Sequence, residues 1–568
     1  MFRITSLALL VSLSLVPVTV LAALDRVGDF ALLDEQGEFH QLSRYRHREA
    51  LALLAYDADC AAMSAVLDSF GRLKDEFAEQ GIDFLLLDTR NLQREALRDL
   101  NLPLPILQDD LQLVASALGV VSNGDVLLLN PERLSVFFKG PIAGESLAVF
   151  EDALAGVVAG SVADTISTAS ASNTGCAISY SQRDAQLQSP PDFAADVAPI
   201  VLENCVVCHR QGGVGPFALD SYIMLLGWSP MIREVILNRR MPPMQTDPHY
   251  IASDSARNLS AEERQTLVNW IDAGAPRGDG ESDPLEEYIP PDESGWALGE
   301  PDYIVQGPEH AIPAIGVLDY YYSNVDLPFG EDRWLRAVQY RAGDTSVLHH
   351  LMTFVTQPGE DFWGPERNET SASRRFVAGY LPGTLNVTEY GPDVGVKIPA
   401  GHGLSMQFHY VTNGQSTVDQ TEVGLYFAEQ PPAREQLVQA VGTRFVLPPN
   451  VPEFAQQASH VFQQDVVLTG LRARMNYRGK KMKFVAEYPD GNSETLLSVP
   501  AYNYGWQPHY VLNTPTPLPA GTRVQVIGAL DNSESNPTNP DPSLEIKYGL
   551  NSWEEMFTGY FTYHPALD

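Results

Sequence analysis

Residues 50–88 read ALALLAYDADCAAMSAVLDSFGRLKDEFAEQGIDFLLLD. Ala50 to Tyr56 is a short apolar run with the length of a buried strand, and Ile82 to Leu87 is a second. Between them Met63, Leu67, Phe70, Leu73 and Phe77 recur at helical spacing along one face. A strand, an amphipathic helix and another strand in immediate succession argue a βαβ unit with a parallel pair. Val126 to Leu129 is a further buried run, ended by Asn130-Pro131, so the segment from about Leu24 to Gly160 is expected to be an α/β domain.

Working outward, the texture changes twice. Ser161 to Thr174 is rich in Ser, Ala and Thr and reads as a linker. About Asp192 to Gly280 reads as all-α: Phe193 to Leu202 is one helix, and Glu262 to Ala273 another, opened by Ser260 and closed by Gly274 and Pro276. From about Gly299 onward, short alternating runs are separated by Gly, Pro, Asn and Asp. Examples are Arg333 to Tyr340, Val347 to Val355, Leu404 to Val411, Thr421 to Phe427, Lys480 to Tyr488 and Val524 to Ala529. Many short strands with turn signals imply two antiparallel β-sandwiches, with a break near Pro431 to Leu437. The expected divisions are 1–22, 23–160, 161–190 (linker), 191–290, 295–436 and 437–568.

The chain has 568 residues, with 37 Lys and Arg against 72 Asp and Glu, a net charge of −35. No basic surplus exists to release counterions, so nucleic acid and anionic membrane surfaces are not expected partners. Met1 to Ala23 reads as a secretory signal: Arg3, the apolar run Leu7 to Leu21 broken by Pro17, then Ala22 and Ala23. Cleavage after Ala22 and a periplasmic or secreted location, without stable membrane insertion, follow from that reading.

Four cysteines are present: Cys60, Cys176, Cys205 and Cys208. The last two stand in Cys205-Val206-Val207-Cys208-His209, which in an exported protein is the attachment signature of a c-type haem. Two thiols one helical turn apart form thioethers to the haem vinyls, and His209 becomes the proximal iron ligand. A zinc site would want a second Cys/His pair, and none is adjacent. A sixth ligand is expected downstream in Arg239-Arg240-Met241-Pro242-Pro243-Met244, with Met241 the first choice, Met244 the alternative and His249 further on. Cys60 and Cys176 are left to pair with each other, or not.

In the β-rich half His349 and His350 are adjacent in a strand-like run, and His409 lies in Met406-Gln407-Phe408-His409-Tyr410. Neutral imidazoles suit copper, zinc or iron. Neighbours on a regular strand point to opposite faces, so two adjacent ligands require a local twist or bulge.

These residues resemble a family. The run from about Phe193 to the end is similar to bacterial proteins that join a c-type cytochrome to a type II, ascorbate-dependent copper monooxygenase module, related to peptidylglycine α-hydroxylating and dopamine β-monooxygenases. The resemblance is carried by the haem motif, Arg240-Met241-Pro242-Pro243, Trp270-Ile271-Asp272-Ala273-Gly274, His349-His350, Gln407-Phe408-His409-Tyr410, Tyr477-Arg478-Gly479-Lys480, Tyr488-Pro489-Asp490-Gly491 and Trp553-Glu554-Glu555-Met556. It implies two jelly-roll-like sandwiches and two coppers. An electron-transfer copper would be held by His349, His350 and His409, and an oxygen-activating copper by a His-x-His pair plus Met556. The His-x-His position is here Arg474-Met475-Asn476. Arg474 has no lone pair to offer and would repel a cation, and Asn476 is a weak oxygen donor. The ordinary oxygen-activating centre is therefore expected to be missing, unless it is rebuilt from His509, His460 or His564.

The front segment resembles the thioredoxin-like peroxiredoxin and resolving-thiol proteins. Cys60 stands where their nucleophilic Cys belongs, ahead of a helix whose N-terminus would lower its pKa. Met63 occupies the place of a second Cys, and Asn123-Gly124 replaces the family's Thr-Pro. A Cys60–Cys176 disulfide fixing the linker onto this domain is expected over an active thiol. The resulting reading is a multidomain redox protein: an α/β thioredoxin-like domain, a small all-α cytochrome c-like domain and two all-β sandwiches. Its cofactors are a covalent haem and copper, and its partners an ascorbate-like reductant or periplasmic redox protein, with O₂ as a possible oxidant. The competing readings are a non-catalytic electron relay or binding platform, and a thiol-based redox protein using Cys60.

Overall fold

The computed structural model describes residues 26–161, 166–167, 175–243, 246–250, 253, 258–280, 282–290, 295–360, 375–382 and 386–566. The proposed leader, 1–22, and Met244 lie outside the described residues.

The apolar runs at the front form the strands Ala50–Tyr56, Ile82–Asp88 and Asp125–Asn130. Ala50–Tyr56 is parallel to Ile82–Asp88 and antiparallel to Asp125–Asn130. They are the centre of an eight-stranded sheet in the order Phe39–Gln41, Ala31–Asp34, Ile106–Gln108, Ile82–Asp88, Ala50–Tyr56, Asp125–Asn130, Ser135–Pro141, Ile166–Ser167. The helix Met63–Phe77 covers it through Met63, Val66, Phe70, Leu73 and Phe77. Val66 takes the inward place expected of Leu67, which sits at the edge of that face. This is an N-terminal α/β thioredoxin-like domain.

Residues 175–190, within the stretch expected as a linker, are more ordered than their composition implies. Ser122 bridges to Ala177, Ile178 N–H donates to Val121 O at 3.0 Å, and Tyr180 Oη donates to Val120 O at 2.7 Å. Ser181–Gln188 is then a helix packed on Ala261–Asp272, where Asn269 Nδ2 donates to Gln186 Oε1 at 2.6 Å. Small polar residues read as linker only until tertiary partners bind their backbone.

The helical segment gathers Phe193, Val197, Val201, Leu225, Leu267, Val268 and Trp270 into one core. Its longest helix, Tyr222–Leu237, escaped the sequence reading because Gly227 and Pro230 interrupt it. The Ser221 side chain caps its start by accepting from Met224 N–H, and packing outweighs the hydrogen bond that Pro230 removes. Ala261–Asp272 begins with a capping box between Ser260 and Glu263.

The remainder is a β-sandwich-rich region. The first sandwich opposes a sheet of Tyr321–Asp326, Gly403–Tyr410, Leu348–Thr356 and Arg375–Tyr380 to one centred on Val394–Ile398, Arg333–Arg341 and Glu422–Phe427. The second opposes Leu437–Thr443, Phe557–Pro565, Val466–Met475 and Tyr510–Leu518 to Phe454–Val461, Arg523–Leu530, Gly479–Glu487 and Ser493–Val499. Alternating apolar residues fill each interior, so each sandwich has its own core.

Residues 246–250 tie the units together. Asp247 is fully buried, pairs with Arg94 of the thioredoxin-like domain, and donates its N–H to Ser498 O of the second sandwich at 2.9 Å. Arg98 Nη2 donates to Tyr250 Oη at 3.0 Å, and Lys481 pairs with Glu38 at 2.7 Å. No helix among the described residues is long and apolar enough to cross a membrane.

Candidate functional site

His349 and His350 lie on the strand Leu348–Thr356 and His409 on its neighbour Gly403–Tyr410. The register shifts between Leu348 and His350, with Leu348 opposite Tyr410 and His350 opposite His409. His349 is thus the extra residue of a β-bulge, which turns its ring toward the face that His350 presents. His349 Nδ1 lies 3.3 Å from His350 Nδ1 and 3.4 Å from His409 Nδ1. Imidazole–metal bonds of about 2.0–2.1 Å separate tetrahedrally arranged donors by roughly 3.4 Å, so the spacing suits one shared ion. Among the described residues this is the one group of His, Cys, Asp and Glu that converges this way, with ligand atoms within 4.8 Å of one another.

The surroundings keep these rings neutral. Burial holds His349 at about 4 and His409 at about 3, the latter lowered further by its neighbours His349 and Arg474. His350, 2% exposed, is pushed well below the usual histidine range by burial and then by His409, His349, Arg472 and Arg474. At neutral pH all three offer lone pairs. Aromatic rings wall the cluster: Tyr320 lies 5.7 Å from His350 and 5.2 Å from His409, and Trp506 of the second sandwich lies 6.1 Å from His349.

The other expected metal position is chemically different. Val466–Met475 ends with Arg472 and Arg474 pointing to the same side, as alternation requires. Arg474 lies 5.5 Å over the Tyr320 ring and reaches Tyr320 Oη and Gln507 Oε1. Asn476 is fully buried, and its Nδ2 donates to Asn551 O at 2.8 Å and Glu554 O at 3.2 Å. It therefore fastens the loop before Met556. Glu555 clamps the same loop, accepting N–H groups of Asn476, Arg478 and Met556, and burial raises its carboxyl to about 7. Met556 lines a cavity between the sandwiches together with Arg472, Arg474 and His509. His460 instead meets Phe462 edge to face, and His564 Nδ1 lies 2.9 Å from Pro565 O. His402 sits in a turn, with Nδ1 3.3 Å from Ala400 O.

Cys205-Val206-Val207-Cys208-His209 follows the helix Ala198–Asn204, and His209 N–H donates to Cys205 O at 2.9 Å, so the motif occupies one helical turn. Cys205 and Cys208 are both thiols. Burial pushes the Cys205 thiol up to about 12. His209 Nδ1 lies 3.1 Å from Phe217 O; donating there fixes the tautomer and leaves Nε2 with its lone pair outward. A Cβ on Gly215 would stand 2.8 Å from that Nδ1, so only glycine lets the loop support the ring this closely. The donor set and the orientation fit a haem iron. Met241, 41% exposed, borders a cavity with Arg239, Pro242, Leu259 and Pro500, and His249 pairs with Glu95 at 3.0 Å.

Cys60 and Cys176 form the expected disulfide, 116 residues apart. Cys60, 3% exposed, lies three residues ahead of the helix Met63–Phe77, and Asn123 N–H donates to Cys176 O at 2.9 Å. The bridge thus stitches the departing chain over the position that a catalytic thiol would need open.

An N-terminal thioredoxin-like domain joined to a β-sandwich-rich region defines the architecture. Residues 24–138 match the AhpC/TSA family. Among solved structures the chain is similar to a hypothetical protein from Sinorhizobium meliloti (20% identity over 28% of this chain and 95% of that one, TM-score 0.24). It is also similar to the peroxidoxin BcpB of Mycobacterium tuberculosis (23%, 24% and 96%, TM-score 0.21). A third is a thiol:disulfide interchange protein from Bacteroides sp. (14%, 23% and 89%, TM-score 0.20). No curated protein matches the chain.

Tyr320, Trp506 and Arg472 belong to the site and were missed by sequence reading. Arg472 alone carried a signal, standing two residues before Arg474 on the same strand face.

Proposed function

We propose that this protein is an exported haem–copper electron relay of the type II copper monooxygenase type, retaining the electron-transfer copper position and lacking the oxygen-activating one. His349, His350 and His409 would hold copper, and Cys205, Cys208 and His209 would hold the haem, with Met241 the candidate sixth ligand. When bound, each centre supplies a reversible one-electron couple. The observation that carries the reading is the convergence of three neutral imidazoles on a bulge. A loop of the haem motif docks beside them: Thr345 Oγ1, four residues before His349, donates to Gly212 O at 2.7 Å.

The chain's own residues set the conditions for transfer. The bulge preorganises the three nitrogens, so little protein movement need accompany a change of copper charge. Tyr320 and Trp506 pack against the rings. Arg474, behind Tyr320, adds positive charge that favours the less charged Cu(I). Hydroxylation of a C–H bond is disfavoured because Arg474 and Asn476 supply no nitrogen donor beside Met556. The AhpC/TSA-type domain acts as a docking or structural module, its Cys60 closed in a bridge.

The test is metal analysis of the purified protein with spectroscopy of both centres. One copper and one covalent haem per chain, with ascorbate-reduced haem reoxidised when Cu(II) is added, is expected. No bound copper would end the relay reading. Oxygen consumption coupled to a hydroxylated product would replace it with a working monooxygenase.

A further inference from the structure

Left-handed backbone at residues other than glycine marks both sides of the contact between the thioredoxin-like domain and the helical segment. Leu111 (φ 55°) and Gln112 (φ 57°) follow Asp110 in the front domain. Arg239 (φ 54°) follows the helix Tyr222–Leu237. The Arg239 N–H donates to Ile236 O at 3.2 Å and the Arg240 N–H to Val235 O at 2.9 Å. This is a Schellman ending, whose left-handed position ordinarily goes to glycine. A side chain is disfavoured there, so the arginine persists because its surroundings hold it.

Those surroundings are two carboxylates of the front domain. Asp110 Oδ2 lies 3.7 Å from Arg239 Nη2 and 3.1 Å from Arg264 Nη2, while its Oδ1 accepts from Gln108 Nε2 at 2.9 Å. Asp29 Oδ2 accepts from Asn238 Nδ2 at 3.4 Å, and the same oxygen is held by Ser43 Oγ and Gln41 Nε2. The loop that presents Asp110 is itself fastened. Asp109 accepts the N–H groups of Val114 and Ala115, Asn91 Oδ1 accepts from Leu111 N–H at 2.9 Å, and Gln265 Nε2 donates to Leu111 O at 3.4 Å. Leu113 then joins the core of the helical segment, with Phe193, Val268 and Trp270.

Asn238 and Arg239 stand three and two residues ahead of Met241, whose own N–H donates to Val235 O at 3.2 Å. Leu33 and Phe39 of the front domain line the same cavity as Met241. We propose that Asp110 is a positioning residue for Met241: through Arg239, the front domain holds the loop that carries the sixth haem ligand, an inference that rests on the reading of Met241 given above. A thioether on a free loop loses conformational entropy each time it is ordered on a metal, and a loop already held in place has less to lose. The domain whose Cys60 is closed in a bridge thereby keeps a function, as the anchor of a haem ligand.

The test is the ferric absorption spectrum and redox titration of the purified full-length haem protein, with backbone hydrogen exchange followed by mass spectrometry. Wild type is expected to show the thioether-to-iron charge-transfer band in the red, and Met241→Ala to lose it. Asp110→Asn is expected to keep the covalent haem, to lose about half or more of that band, and to shift the midpoint potential in the same direction as Met241→Ala. The N–H groups of Arg240 and Met241 should exchange about tenfold faster in Asp110→Asn, a readout that needs no bound haem. Asp110→Glu, which keeps the charge and reaches further, is expected to restore band and protection together. Where Asp110→Asn fails to fold, Arg239→Gly replaces it: glycine takes the left-handed backbone without strain but gives Asp110 nothing to hold, so the same losses are expected. A band lost in Met241→Ala but undiminished in Asp110→Asn or Arg239→Gly overturns the positioning role alone. A band absent from wild type, or one that survives Met241→Ala, overturns the ligand reading and the positioning role with it.

Discussion

Replacing Cys60 and Cys176 together by alanine removes the covalent closure between the thioredoxin-like domain and the chain leaving it. The closed loop spans 116 residues. In the chain-entropy treatment, a cross-link of that span removes about 16 cal/mol/K from the unfolded ensemble, or about 5 kcal/mol at 25 °C. Losing the buried Cys60 sulfur adds about 1 kcal/mol of lost packing. For a domain of this size each kcal/mol moves the melting temperature by roughly 2–4 °C. The double variant should therefore melt about 12–24 °C lower in its N-terminal transition, followed by calorimetry with and without the bridge. Non-reducing mass spectrometry should find the wild-type bridge intact under a glutathione buffer, as structural disulfides resist that pool. A double variant within about 1 kcal/mol of wild type would refute the stapling role, since the loop entropy would then be unrecovered. A bridge that opens under mild dithiol and then consumes peroxide would refute it in favour of a working Cys60.

Further expectations follow from the same geometry. His349→Ala, His350→Ala and His409→Ala should each weaken copper binding by roughly 100-fold or more, read by competition with a chelator of known affinity; undiminished binding would place the metal elsewhere. Met241→Ala should keep the covalent haem but lower its reduction potential by something on the order of 0.1 V in spectroelectrochemistry, and an unchanged potential would reassign the ligand. Asp109 is fully buried, and burial raises its carboxyl from 3.8 to about 7 despite N–H groups donated by Val114 and Ala115. Between those values the unfolded chain binds fewer protons, so this contribution is full below about pH 4 and is lost as pH rises through 7, by up to about 4 kcal/mol. Asp109→Asn should flatten the fall in urea midpoint between pH 5 and 8, and an identical slope in both proteins would remove Asp109 as its source.

Much of the N-terminal fold was legible because its signals are local. Met63, Phe70, Leu73 and Phe77 announce their helix by spacing, and Ala50–Tyr56 its strand by an unbroken apolar run. The helix Tyr222–Leu237 was not legible, since Pro230 and Gly227 argue against a helix that packing enforces. The order in 175–190 was hidden for the converse reason: its residues have weak preferences, and partners at Val121, Cys60 and Asn269 decide its conformation. The need for a bulge at His349-His350 could be argued from strand alternation, but whether one existed could not.

The chemistry available to this chain is written in its residue types: two thiols and an imidazole in one turn, three further imidazoles, and an arginine and an asparagine where nitrogen ligands would stand. Those identities fix what each side chain can donate, accept or neutralise, whatever the fold. Packing and register decided which of them meet. They brought His409 beside His349 across sixty residues, closed Cys60 on Cys176, and turned Arg472 and Arg474 into one cavity. Such meetings arise from strand pairing and sheet-on-sheet contact between distant segments, so no local spacing in the sequence records them.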